Sequence, residues 1–168
     1  YFKQFTYGRT IIFDKLDKIE RKATLIQKDP KYSFRHIVKK DIEKYTEDFR
    51  TVYNKAWAGH SGVPEMTSLQ AKNIMKQMKP IMDEKIIWFG YYGEDPIAMF
   101  VMIPELNQVF KYVNGSLDWL GKLKFLWYQR IRKSNRKALG IVFGVAPEHQ
   151  GKGVDGAMIA RVTQMMEI

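Results

Sequence analysis

Between Ala138 and Met166 the chain changes character in a fixed order. An apolar run, Ala138 to Val145, meets Pro147, then Gly151 and Gly153, then a second apolar stretch with helical spacing. A run of eight apolar or small residues bounded by turn residues reads as a buried strand, and the segment from Gly151 to Met166 reads as a helix. A strand feeding a helix through glycines restricts the possible folds to sheets covered by helices. It also creates an anion cradle. The first turn of a helix has unpaired N–H groups, and glycines let neighbouring N–H groups converge on the same point. In folds of this kind ligands bind at the carboxyl ends of strands, which places Val145–Gly153 at the site.

The rest of the chain supplies the other layers. Residues 14–28 carry Leu16, Ile19, Ala23 and Ile26 at helical spacing. Asp29-Pro30 punctuates, and Tyr32, Phe34, His36 and Val38 alternate as a strand does. Asp41 is placed to cap a helix running to Trp57, with Ile42, Tyr45, Phe49, Val52, Tyr53 and Ala56 on one face. Thr67 is placed to cap another, ending near Met78 before Pro80. Lys85–Tyr92 and Ile97–Ile103 read as strands joined by the turn Gly93-Glu94-Asp95-Pro96. Two short helices are expected at 105–113 and 117–131. The order is β-α-α-β-β-(αα)-β-α, an α/β chain with a mixed central sheet flanked by helices.

Composition narrows the chemistry. The chain has 168 residues and no cysteine, so disulfides, thiolate metal sites and a cysteine nucleophile are excluded. The lack of cysteine suits the cytoplasm. No apolar run reaches the ~18 residues of a membrane span, so an integral membrane protein is not expected. The three histidines share no metal-ligand spacing. Net charge is +10, and residues 111–137 hold eight basic side chains against Asp118 alone. Such a surface attracts anions of any kind, or is simply a solvated basic face. No nucleic-acid recognition motif accompanies it. Trp119, Trp127 and Tyr128 lie in the same region, either packed on the sheet or resting on anionic lipid.

The stretch Val145-Ala146-Pro147-Glu148-His149-Gln150-Gly151-Lys152-Gly153-Val154 resembles motif A of the GNAT acyl-CoA N-acyltransferase superfamily. There a strand ends in Val-x-Pro and a helix opens on Gln/Arg-x-x-Gly-x-Gly/Ala. Gln150, Gly151 and Gly153 match, and Asp155 stands where the last Gly or Ala is usual. A narrower resemblance over about residues 37–160 is to a group of bacterial GNAT-like proteins. It rests on Tyr53-Asn54-Lys55-Ala56-Trp57, Gly62-Val63-Pro64-Glu65-Met66-Thr67, Lys79-Pro80-Ile81, Pro104-Glu105-Leu106-Asn107-Gln108 and Asn114-Gly115.

The resemblance implies a domain over 31–168 that lacks the family's final strand and helix, with 1–30 as a connector from a preceding region. It implies acetyl-CoA or another acyl-CoA as co-substrate and an amine as acyl acceptor, with no metal. Gln150, Gly151, Lys152 and Gly153 would hold the pyrophosphate. The backbone of Phe143, Gly144 and Val145 would pair with the pantetheine arm, and Val145 would bind the thioester carbonyl. A base must take the amine's proton. Glu105 and His60 are the candidates, with His149 in the turn expected to point to solvent. Asp155 either faces outward into solvent or repels the anion the turn would hold. The alternative function is a non-catalytic domain of the same fold that holds an anionic lipid surface or nucleic acid through residues 111–137.

Overall fold

The computed structural model describes residues 13–58, 62–79, 82–104 and 138–166, with side chains from Arg21 to Met165. The expected helices at 105–113 and 117–131, the basic stretch 111–137, His60 and Glu105 lie outside the described residues.

Four strands, β1 (Tyr32–His36), β2 (Ile87–Tyr92), β3 (Asp95–Pro104) and β4 (Ala138–Val145), form one sheet in the order β1-β2-β3-β4. Each neighbouring pair is antiparallel, so among the described residues the sheet is not the mixed one expected. The two-residue turn at Gly93-Glu94 dictates the β2–β3 pairing, since a tight hairpin can join only antiparallel strands. Helices α1 (Phe13–Lys28), α2 (Ile42–Trp57), α3 (Ser68–Met78) and α4 (Val154–Met166) cover the sheet.

The period of two along the strands sorts the core into two layers. Ile87, Phe89 and Tyr91 of β2, with Met99 and Val101 of β3, face Tyr45, Phe49 and Val52 of α2 and Ala71 and Met75 of α3. Trp88 and Met102 face the other way, against Ala23 and Ile26 of α1 and Val154, Ala157, Met158 and Val162 of α4. Each fully buried side chain of this size contributes about 1.5–3 kcal/mol. Residues 13–28, within the expected connector, thus form a helix that packs on α4 and closes one core layer.

The element ends show which local signals decided. Thr67 caps α3 as expected: its hydroxyl accepts from Gln70 N–H, and the Gln70 carboxamide accepts from Thr67 N–H at 2.8 Å. Asp41 makes no side-chain cap on α2. A 3-10 turn, Lys39–Asp41, precedes the helix, and Asp41 N–H donates to Val38 O instead. β2 begins at Ile87 rather than Lys85 because Glu84–Ile86 form a 3-10 turn, fixed by Asp83 accepting from Lys85 N–H. β3 begins at Asp95, two residues earlier than expected.

Two strand irregularities shape the end of the sheet near the candidate site. Ile141 of β4 has no register partner, since Val142 faces Val101 and Gly140 faces Met102. An extra residue of this kind bends the strand and frees backbone polar groups. At Gly144 the indole of Trp57 lies against the strand. A Cβ there would stand 2.9 Å from Trp57 Cζ3, so only glycine allows α2 and β4 to approach this closely.

Candidate functional site

The glycine turn forms where the sequence places it, in a shape the sequence does not give. Ala146 N–H donates to Ile97 O at 2.7 Å and ties the end of β4 to β3. Pro147–His149 make a 3-10 turn, with His149 N–H donating to Ala146 O. Gly151 and Gly153 follow with φ of +71° and +100°. These left-handed conformations interrupt any helix, so α4 starts at Val154 and not at Gly151.

A cleft of about 230 Å³ opens at this point, walled by Phe143, Val145, His149, Gln150, Gly151 and Asp155. Typical small-molecule pockets run from roughly 300 to 1,000 Å³. This one therefore suits one segment of a larger ligand. Four residues expected to bind the coenzyme, Phe143, Val145, Gln150 and Gly151, line it together. Gly144 is directed to the other face of β4, against Trp57. Lys152 is exposed at the turn, and Gly153 is buried against α1. A Cβ at Gly153 would stand 2.6 Å from Lys22 Cβ and 3.0 Å from the Lys22 carbonyl carbon.

Three side chains at the turn, those of Gln150, Asp155 and His149, differ in their surroundings. The Gln150 carboxamide is directed back into the chain, donating to Val145 O at 2.9 Å and bracing the turn. Asp155 is exposed in the first turn of α4, and its residue borders the cleft. His149 does not point to solvent. It is 9% exposed, and its Nδ1 lies 3.0 Å from the hydroxyl of Tyr32. The rings of Tyr32 and Tyr92 flank it at 5.6 and 5.2 Å. Burial lowers the pKa of His149 below its ordinary value, and the positive charge of Lys152 adds to that. Burial also raises the pKa of Tyr32, which stays protonated and able to donate. His149 and Tyr32 are 117 residues apart, so nothing local in the sequence signals the pair.

The amino-terminal helix reaches the same turn. Lys22 Nζ donates to Gly151 O at 3.0 Å. On the opposite side of the sheet Asp48 accepts from Tyr91 OH at 2.5 Å and pairs with Lys44 at 2.6 Å. Burial pushes the Tyr91 hydroxyl far above the usual phenol range, with the Asp48 hydrogen bond adding to it. A second cavity, of about 590 Å³, lies at the other end of the sheet, bordered by Phe34, Trp88 and Met165 with Arg35 and Arg161. Its lining includes none of the residues of the glycine turn. Among the described residues no group of three or more acidic, histidine or cysteine side chains is placed to hold a metal. Nor is any described helix long and apolar enough to cross a membrane.

No protein-family model matches the chain. A bacterial ceramide synthase of Caulobacter vibrioides is 23% identical over 95 residues, 55% of this chain and 25% of that protein. Protein YghO of Escherichia coli is 26% identical over 136 residues, 80% of this chain and 32% of that protein. The chain therefore spans no more than about a third of these relatives. An apo crystal structure of an agmatine N-acetyltransferase mutant overlays on 80% of this chain and 69% of its own, at 13% identity and a TM-score of 0.42. A likeness that shallow carries no argument. What the fold and the site define is an α/β domain with a four-stranded antiparallel sheet, among the described residues, flanked by helices and a glycine turn at one sheet end.

Proposed function

We propose that this chain carries the coenzyme-binding core of an acyl-CoA-dependent N-acyltransferase. The observation that supports this reading is the cleft at the carboxyl end of β4. There, residues matching the coenzyme-binding turn of the GNAT superfamily border one cavity, and the amino end of α4 opens beside it. Unpaired N–H groups and the positive end of the helix dipole favour a diphosphate at such a place. The backbone of β4, the edge strand among the described residues, would take the pantetheine arm. Ile141, which has no register partner, adds loosened backbone donors on that strand.

The reaction is direct attack. The acceptor's amine nitrogen bonds to the thioester carbonyl carbon, and the carbon–sulfur bond breaks. A base removes one proton from the nitrogen, and the sulfur leaves as a thiol after gaining a proton. Backbone N–H groups near Val145 would stabilise the oxyanion formed on the way. Glu105 and His60 remain the proposed bases. The acceptor class follows from one relative's name. A ceramide is the amide of a fatty acid with a long-chain amino alcohol, so we propose a lipid amine as acceptor. Phe143 at the cleft, with Leu139 and Ile141 also exposed on β4, offers such a lipid apolar contact.

Calorimetry with acetyl-CoA and a long-chain acyl-CoA tests the donor. Mass spectrometry of the amide formed from a long-chain amino alcohol tests the acceptor. Binding in the micromolar range that weakens in Gly151→Glu is expected; no heat with either donor would overturn the reading. A second reading, a non-catalytic domain that holds an anionic surface through residues 111–137, draws support from Asp155 beside the cleft. It requires salt-dependent binding to anionic vesicles that Lys122→Ala/Lys124→Ala abolishes.

A further inference from the structure

We propose that Lys22 of α1 is a phosphate-binding residue of the coenzyme site, so that the amino-terminal helix completes a site the glycine turn alone leaves short of positive charge. The inference rests on the coenzyme reading above. Its starting point is electrostatic. The turn and the first residues of α4 carry two carboxylates, Glu148 and Asp155, against the single ammonium of Lys152. Asp155 borders the cleft itself. The partial charge at a helix amino end is only about half an elementary charge. On these residues alone, the turn is not charged to attract a diphosphate.

The geometry points to Lys22 as the missing cation. Its ammonium donates to Gly151 O at 3.0 Å, and Gly151 is one of the residues that wall the cleft. Among the described residues Lys22 makes no ion pair. The ammonium has three donor hydrogens on a flexible stem, and one carbonyl uses one of them. Its backbone is fixed where this is possible. Gly153 lies so near Lys22 that an added Cβ would stand 2.6 Å from Lys22 Cβ, while Ala23 and Ile26 of the same helix are buried against α4. The short side of Gly153 thus has a purpose besides turn geometry: it lets α1 come close enough for Lys22 to reach the turn.

The test compares two ligands on the folded protein. Acetyl-CoA carries the diphosphate, and acetyl-pantetheine carries the arm without it. Lys22→Ala keeps the Cβ that packs on Gly153, so the fold is expected to hold. Loss of one charged contact to a phosphate raises the acetyl-CoA Kd about tenfold, which corresponds to about 1.4 kcal/mol. It also lowers the salt dependence of binding, leaves acetyl-pantetheine binding unchanged, and is largely reversed in Lys22→Arg. Equal acetyl-CoA affinity in the wild type and Lys22→Ala would overturn the inference while leaving the coenzyme reading intact. So would an equal loss for both ligands, which would mark a packing role. A wild-type protein that binds no acyl-CoA would overturn the coenzyme reading and this inference with it.

Discussion

Gly151 and Gly153 offer a paired experiment on what the turn requires. Both have positive φ, so alanine at either one moves an L side chain into a left-handed conformation, at about 1–2 kcal/mol. Their surroundings differ. A Cβ at Gly151 meets no heavy atom within 4 Å, whereas at Gly153 it meets Lys22 Cβ at 2.6 Å and the Lys22 carbonyl carbon at 3.0 Å. The second of these is backbone and cannot rotate away, so α1 itself must shift. Overpacking of this kind costs about 1–3 kcal/mol. Gly151→Ala should therefore destabilise by about 1–2 kcal/mol and Gly153→Ala by about 2–5 kcal/mol. Urea denaturation followed by circular dichroism gives both values from the shift in midpoint at constant slope. The separation between the two variants is the informative quantity, because the backbone contribution is common to both. If Gly153→Ala lost no more stability than Gly151→Ala, the packing of α1 against the turn would be refuted.

Three further outcomes follow from the same geometry. Burial holds the folded pKa of His149 below the ordinary histidine value of about 6.5, so on acidification the unfolded chain takes up this proton first. Its contribution to stability is full above about pH 6.5 and is lost as pH falls through the lowered folded value. Urea midpoints taken across that window should fall less steeply in His149→Gln; an unchanged slope would count against a buried neutral ring. Tyr91→Phe removes the donor to the buried Asp48 carboxylate and should cost about 1.5–3 kcal/mol by the same assay. No change would mean that Lys44 alone satisfies Asp48. Asp155→Asn should tighten acetyl-CoA binding about fivefold by calorimetry, from about 1 kcal/mol of repulsion removed at a water-exposed site. Unaltered affinity would mean that the carboxylate does not feel the ligand.

The sequence discloses those features whose cause is local. Thr67 and Gln70 are three residues apart, and the capping box forms as read. The alternation in β1 places Tyr32 and Phe34 together against one core layer. Illegible features depend on partners far along the chain. Asp41 carries the residue type of a helix cap, yet a preceding 3-10 turn gives its N–H to Val38 and the side chain makes no cap bond. His149 lies in a polar turn and reads as exposed until Tyr32 and Tyr92 are brought beside it. Residues 13–28 have the charge of a solvated segment, and only the buried Ala23 and Ile26 show that they belong to the core. Of the candidate site, the place of the glycine turn between β4 and α4 is legible because its residues are contiguous. Glu105 and His60 lie outside the described residues.

The glycine turn is often treated as a self-sufficient anion site, and here its own residues argue otherwise. Its two glycines divide the work. Gly151 has open space where a Cβ would stand and borders the cleft, so its positive φ is not required by packing. Gly153 is buried against Lys22, so its missing Cβ serves the approach of α1. Gln150 is occupied in bracing Val145 O and contributes rigidity to the turn. The carboxylate of Asp155 lowers the positive potential that the helix amino end provides. A turn with one cation and two carboxylates needs charge from elsewhere to hold a diphosphate, and Lys22 is the ammonium hydrogen-bonded to it. The α1 helix is therefore to be counted with the site, and a protein lacking residues 13–28 should lose coenzyme affinity along with one wall of its core.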